Sequence, residues 1–385
     1  MNNKMLKASI LSLSVFLSSA MSVSAALADI AKAFPDVSSS NIQMIISLPS
    51  LLIIPFSLIA GVLSNKLGKK MLVMVGLILL SLGGVAPAFT NSFASIMISR
   101  SIFGIGVGLI TPFATGLIAD FFDGPERAGM MGLQAATNSL GSSVLTFAAG
   151  LLCVLNWHNA FFVYALGAIV AILVLFKLPE PAKIQTSPTE KSAPNKPVFL
   201  IAVGMFLYML FLFSFYSNIA FLIEKNSLGN PATSGMVITA MTLGGLLVSL
   251  FFGKLLPLLK RYLIAAAMCV TAIGFMLLSM AQSIALVYVG AVFIGFGTGF
   301  VLPYCMLNIT FKAPKAAVPL SIAIGLSFIN IGSFASPFLF KLIGTLSGNT
   351  TVKFSFLVTA VFFAVALVIA ILAALAPKKQ QMVQQ

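Results

Sequence analysis

The residue in this sequence best placed to do chemistry is Arg100, which sits about seven residues inside an otherwise apolar run at 93–119. An arginine at that depth in a bilayer costs about 2.5–3.5 kcal/mol unless water or a partner reaches it. Asp29, near the end of the apolar run at 7–31, is the nearest acid at a comparable depth. A guanidinium and a carboxylate sharing a wet gap would titrate together or hold a charged solute. The same groups in dry protein would be a fixed ion pair, and an arginine near the interface could instead snorkel to the headgroups. Glu224 closes the run at 198–223 much as Asp29 closes the first, and is either a second proton site or an interfacial companion of Lys225. No acid lies near the middle of a run, so proton chemistry belongs near one membrane face. Cys153, Cys269 and Cys305 fall in apolar stretches without metal-ligand spacing, so no metal and no other cofactor is expected. No G-x-x-x-x-G-K-[ST] loop occurs, so energy must come from an ion gradient or from the solute's own.

The elements that position these residues follow from composition. Of the 385 residues 59% are hydrophobic and 8% charged, where a soluble domain carries about 25% charged. Lipid must therefore be the solvent for most of the chain. Apolar runs occur at 7–31, 41–63, 71–89, 93–119, 129–154 and 158–178, then at 198–223, 232–257, 262–280, 283–309, 317–345 and 353–376. Each is close to the roughly 20 residues that cross a hydrocarbon core. The segment 179–197, rich in Pro, Lys, Ser and Thr, reads as a linker between two sets of six. The expected fold is an all-α membrane protein of twelve transmembrane helices in two parallel six-helix repeats, 1–178 and 198–385, in a cell membrane.

The net charge of +14 does not point to nucleic acid, because the cations sit between apolar runs. With the N-terminus inside, 17 of the 22 lysines and arginines fall on the cytoplasmic side, as the positive-inside rule requires. Both termini are then cytoplasmic. Lys4 and Lys7 before an apolar stretch ending in Ala26-Leu27-Ala28 imitate a cleavable signal. The internal repeat argues that this segment stays, since removing it leaves five helices facing six.

That repeat is visible at one offset. Gly104, Gly106, Gly108 and Pro112 recur as Gly295, Gly297, Gly299 and Pro303, each 191 residues later, and Gly141-Ser142 recurs as Gly332-Ser333. Two matched halves with an even number of crossings are parallel repeats about an axis along the membrane normal. Together with the loop Gly61-Val-Leu-Ser-Asn65-Lys66-Leu-Gly68-Lys69-Lys70, similar to a G-x-L-x-D-R-x-G-R-K signature, the chain resembles the major facilitator superfamily over essentially its whole length. Asn65 departs from the signature's Asp, which weakens the charge network the family builds there; Asp120, Glu126 and Arg127 could supply part of one. Arg100-Ser-Ile-Phe-Gly104-Ile-Gly106 is similar to the family's R-x-x-x-G-x-G element. Gly132, Gly141 and Gly150 keep the skeleton of its antiporter motif, with Leu145-Thr146 where a Gly-Pro pair belongs.

The resemblance implies a central cavity lined by the first, fourth, seventh and tenth helices, which would set Arg100 against Asp29. It would bring Tyr208, Phe211, Phe215, Tyr216 and Asn218 of the seventh run, Tyr304 and Asn308 of the tenth, and Thr111 and Thr115 of the fourth to that cavity. Gln134, Asn138 and Asn330 would join from the fifth and eleventh. Aromatics with a few amides suit an amphipathic solute; taken one by one, the same residues equally serve interhelical packing. The expected function is secondary transport by alternating access, either proton-coupled efflux of small amphipathic molecules or uptake of a small organic anion held by Arg100. The chain is expected to be no enzyme and to work as a monomer. Its expected partners are the bilayer, a small-molecule substrate, and protons or another coupling ion.

Overall fold

Backbone N–H and C=O groups inside a bilayer have no water to bond, so a chain this apolar can satisfy them by helix formation. The computed structural model describes residues 3–181, 195–314 and 317–375, which among themselves hold helices and turns but no strand. Most of the 179–197 linker lies outside the described residues, as do Lys378 and Lys379.

The helices are α1 (Asn3–Ser14), α2 (Leu27–Ala33), α3 (Ser39–Leu67), α4 (Lys69–Val85), α5 (Phe93–Phe121), α6 (Gly124–Cys153) and α7 (Leu166–Lys177). They continue with α8 (Lys196–Lys225), α9 (Pro231–Leu259), α10 (Leu263–Ser279), α11 (Ile284–Lys312), α12 (Val318–Ser347) and α13 (Val352–Leu375). Among the described residues ten stretches are long and apolar enough to cross a membrane, or eleven if Lys4–Ser14 and Ser19–Ala33 form one bent span. The stretch Pro231–Ser279 holds both α9 and α10; the chain breaks between them at Lys260, whose φ is +46°.

The first run is not the single helix expected over 7–31. It bends by 52° at a break between Lys4–Ser14 and Ser19–Ala33, and the second piece opens as a 3-10 segment at Ser19–Ala26. The cause is local: Ser9, Ser12, Ser19 and Ser24 each donate a hydroxyl to the carbonyl three residues back, offering the backbone an alternative to the regular ladder.

The glycine repeat is a packing repeat. A Cβ on Gly104 would meet the Pro49 Cα of α3 at 2.8 Å, and one on Gly108 the Phe56 Cβ at 2.8 Å, while one on Gly106 would meet the Gly76 carbonyl of α4 at 2.6 Å. At the same offset, Gly295 and Gly299 of α11 lie against Met241 and Val248 of α9, and Gly297 lies against Thr271 of α10. Two glycines let one backbone approach and the third another. Gly295→Ala, which would push into the Met241 carbonyl, should cost about 1–3 kcal/mol. Gly253→Ala, with nothing within 4 Å, should be neutral or slightly stabilising. Thermal unfolding of the two variants in detergent checks this, and equal shifts would refute it.

Between the two sets of helices, α3 packs on α12 and α6 on α9. The shift that carries α3 onto α9 carries α6 onto α12, so these are one contact related by exchange of the sets. Large apolar side chains such as Leu82, Phe176, Leu250 and Leu372 point outward, a surface that suits lipid.

Candidate functional site

Arg100 is where the expectation and the structure part. Its side chain is fully buried. Nε donates to the Ile45 carbonyl at 2.8 Å and a terminal nitrogen donates to the Ala20 carbonyl at 3.1 Å. The guanidinium lies 4.2 Å from the Phe103 ring centroid and 5.2 Å from that of Tyr164, and the Tyr164 hydroxyl donates to the Ser19 carbonyl at 2.8 Å. Both backbone acceptors are explained by sequence. Ile45 stands four residues before Pro49 within α3, and proline has no N–H for that carbonyl. Ser19 and Ala20 open the 3-10 segment of the broken first span. Arg100 therefore staples α5 to two places where the helical ladder is interrupted. The expected wet pairing with Asp29 is corrected: among the described residues no carboxylate pairs with Arg100.

Asp29 and Glu224 instead converge on Lys32. Its Nζ is 2.8 Å from Asp29 Oδ1 and 2.7 Å from Glu224 Oε1. The pair with Asp29 is a helical (i, i+3) pair, whereas the pair with Glu224 joins α2 to α8. All three side chains keep solvent contact, and the Cys153 Sγ approaches Asp29 Oδ2 at 3.7 Å. The same end of the molecule is sealed by further contacts. Gln43 donates to the Asn218 side-chain oxygen at 3.0 Å, Thr239 donates to the Ser143 carbonyl at 3.2 Å, and Gly150 lies against the Pro231 carbonyl. Sequence reasoning missed Lys32 and Gln43. The cue for Lys32 was its spacing of three residues after Asp29.

Behind this seal lie two adjoining cavities of about 420 and 540 Å³. Of the residues expected there, Asn138 and Tyr216 line both, Tyr208 and Asn330 the first, and Gln134 the second. Thr111 lines the first, and Thr115 accepts from Gln134 at 3.0 Å. Five others are corrected. Phe211 stacks on Phe362 of α13 at 3.7 Å, and Phe215 packs edge-on to Tyr216 while fully buried. Asn218 belongs to the seal, the Asn308 amide donates to its own helix at the Tyr304 carbonyl, and neither Tyr304 nor Asn308 lines either of these two cavities. The second cavity reaches toward Gln134, Ser249 and Met306, at the end opposite Lys32.

At that opposite end the loop after α3 turns at Gly68, whose φ of +82° suits glycine. Lys69 Nζ binds Asp120 of α5 at 2.7 Å. The Glu180 carboxylate accepts from the Lys69 and Lys70 backbone N–H groups at 2.7 and 3.2 Å, capping the N-terminus of α4. Lys70 Nζ donates to the Leu175 carbonyl near the end of α7. A Cβ at Gly61 would meet nothing within 4 Å, Lys66 sits in the last turn of α3, and the Asn65 side chain lies outside the described residues. Arg127 is exposed, and Glu126 pairs with Lys7 at 2.7 Å, so neither joins the Lys69 cluster. Glu180, hidden in the linker composition, was not anticipated.

Membrane-crossing helices packed around such a central cavity define a class, the multi-pass helical proteins of a cell membrane. The sequence model of the Major Facilitator Superfamily matches residues 8–225 and again 201–384, and the chain belongs to that family. Its relatives include the quinolone resistance protein NorA of Staphylococcus aureus (strain N315), 29% identical over 214 residues that make up 54% of each chain. The hexuronate transporter of Bacillus subtilis (strain 168) is 25% identical over 207 residues, 49% of each. The chain spans about half the length of these curated relatives. Among solved structures, the nucleoside transporter NupG superposes with a TM-score of 0.76 at 14% identity, covering 96% of this chain and all of that one. A bacterial homolog of the human lysosomal transporter Spinster, in an inward-facing and occupied conformation, gives 0.73 at 15% identity over 96% of each. At these identities the likeness is one of fold.

Proposed function

We propose that this chain is a secondary transporter of twelve crossings in two six-helix halves, 1–178 and 198–385, that exports small amphipathic molecules in exchange for protons. The observation that carries the reading is a central cavity closed at the Lys32 end and reaching toward the Lys69 end. The cations Lys66, Lys69 and Lys70 mark that open end as cytoplasmic by the positive-inside rule, so the state is inward-facing. Asp29 and Glu224 lie where the halves meet; protonating either weakens its hold on Lys32 and favours opening the outer end. The name of the NorA relative supports drug-like cargo.

The hexuronate relative favours a second reading, uptake of an organic anion. Arg100, the residue expected to bind that anion, lends it no support because its guanidinium is buried on backbone carbonyls.

Alternating access requires the sealed end to open. Ser143→Cys with Thr239→Cys, at the contact between α6 and α9, should lock it when oxidised. Efflux from reconstituted vesicles under an imposed pH gradient should fall at least tenfold and return on reduction. Full transport by the cross-linked protein would end the proposal.

A further inference from the structure

Among the described residues the lining of the central cavity holds no charged side chain. A bare ion brought there would exchange its hydration for uncharged walls, a loss that only a counter-charge repairs. The hydroxyls around the void carry a second message. Thr111, Ser142, Thr146, Thr242, Thr298 and Ser333 each donate to a carbonyl of their own helix. A carbonyl can only accept, so each of these hydroxyls has committed its single hydrogen and presents lone pairs alone. The Gln134 and Asn330 amides each commit one of their two hydrogens within the protein. Such back-bonding is common in membrane helices; what is particular here is its convergence on one void. Asn138, which faces both cavities, has a buried side-chain oxygen with no partner among the described residues. A buried acceptor left unpaired is costly, and a bound solute is the natural donor for it. Ser18, Ser50, Ser139, Tyr208 and Tyr216 supply hydroxyls, and Asn138 an amide NH2, with no hydrogen bond among the described residues, so the bias toward accepting is partial and centres on the Asn138 oxygen.

We infer that the cavity selects uncharged, donor-rich amphipathic solutes, such as an aromatic group joined to several hydroxyls, with Asn138 accepting one of their hydrogens. The volumes fit the ordinary range for small-molecule sites, about 300–1,000 Å³. This inference rests on the transporter reading and narrows its cargo.

The test uses three probes of one size that differ in charge: p-nitrophenyl β-D-glucoside, its glucuronide, and its 2-amino-2-deoxy analogue. Counterflow is measured at neutral pH in vesicles containing the full chain. The glucoside should move at least tenfold faster than either charged analogue. Asn138→Asp, which adds a carboxylate to the void, should swing preference toward the amine by at least tenfold. Transport of the glucuronide or the amine at the glucoside's rate would overturn the inference, as would an unmoved preference in Asn138→Asp. Movement of none of the probes would also overturn it, while the Ser143→Cys/Thr239→Cys pair, alkylated in the reduced protein, still reported an opening outer end and so kept the transporter reading. If that pair never becomes accessible, the transporter reading itself falls.

Discussion

Arg100→Leu will destabilise the folded protein by about 2–4 kcal/mol, and Pro49→Ala will return part of the loss. Two carbonyls, Ile45 and Ala20, lose their donors, at about 1–3 kcal/mol for each buried acceptor left unpaired. Loss of the contacts with the Phe103 and Tyr164 rings adds to it. Relief of the guanidinium's desolvation subtracts, which keeps the total below the sum. The proline matters because it is the reason the Ile45 carbonyl needs an outside donor. With alanine at 49, a backbone N–H can reach Ile45 by the regular helical bond, while the Ala20 carbonyl stays unpaired, so rescue should be partial, about 1 kcal/mol of positive coupling in a double-mutant cycle. Arg100→Lys should fall between wild type and leucine, because an ammonium lacks the planar fork that spans two acceptors and stacks on a ring. Unfolding in detergent of wild type, Arg100→Leu, Pro49→Ala, the double variant and Arg100→Lys measures this. Strict additivity would remove the staple, and a stable Arg100→Leu protein whose transport no longer responds to pH would return Arg100 to a coupling role.

That outcome shows what the sequence could and could not convey. The glycines at 104, 106, 108 and 295, 297, 299 were legible because close helix packing demands small residues wherever it occurs, and a repeated fold repeats the demand. Arg100 was legible as an anomaly but not in its role, since its partners are backbone atoms 55 and 80 residues away. A cue did exist: Pro49 inside an apolar run announces a carbonyl that needs a donor. On α8, Tyr208, Leu212 and Tyr216 line the cavity at a spacing of four, which is one helical face. Phe211 and Phe215 fall on neighbouring faces, so residue type alone swept them in. The break in the first span was hidden because serines, though polar, are small and scattered enough not to interrupt an apolar run. Glu180 was hidden because a cap is recognised by where its carboxylate lands, and that is set by the distance between α4 and the end of α7.

Lys32→Glu should open the sealed end. In the closed state Lys32 holds Glu224 across the halves at 2.7 Å and Asp29 within its own helix at 2.8 Å. The second bond survives opening and cannot bias it; the first cannot survive. Exposed pairs contribute about 0.2–1 kcal/mol, so losing the cross-half bond alone, as in Lys32→Met, shifts the equilibrium only a few-fold. Reversal does more, because it sets a new carboxylate against Glu224 and leaves Asp29 facing it unscreened, adding roughly 1 kcal/mol of repulsion. Together about 2 kcal/mol, or roughly a thirtyfold change in the ratio of open to closed, is expected. The native Cys153 reports it: its side chain is buried beside Asp29. In a background with Cys269 and Cys305 replaced by alanine, its alkylation by N-ethylmaleimide should accelerate in the order wild type, Lys32→Met, Lys32→Glu. High salt should raise the wild-type rate by screening the pair. The charge swap Lys32→Glu with Glu224→Lys restores an opposite pair across the halves and should slow labelling again. Unchanged labelling in Lys32→Glu, or a swap that labels as fast as the single reversal, would mean that the Gln43–Asn218 and Ser143–Thr239 contacts close this end without help from charge.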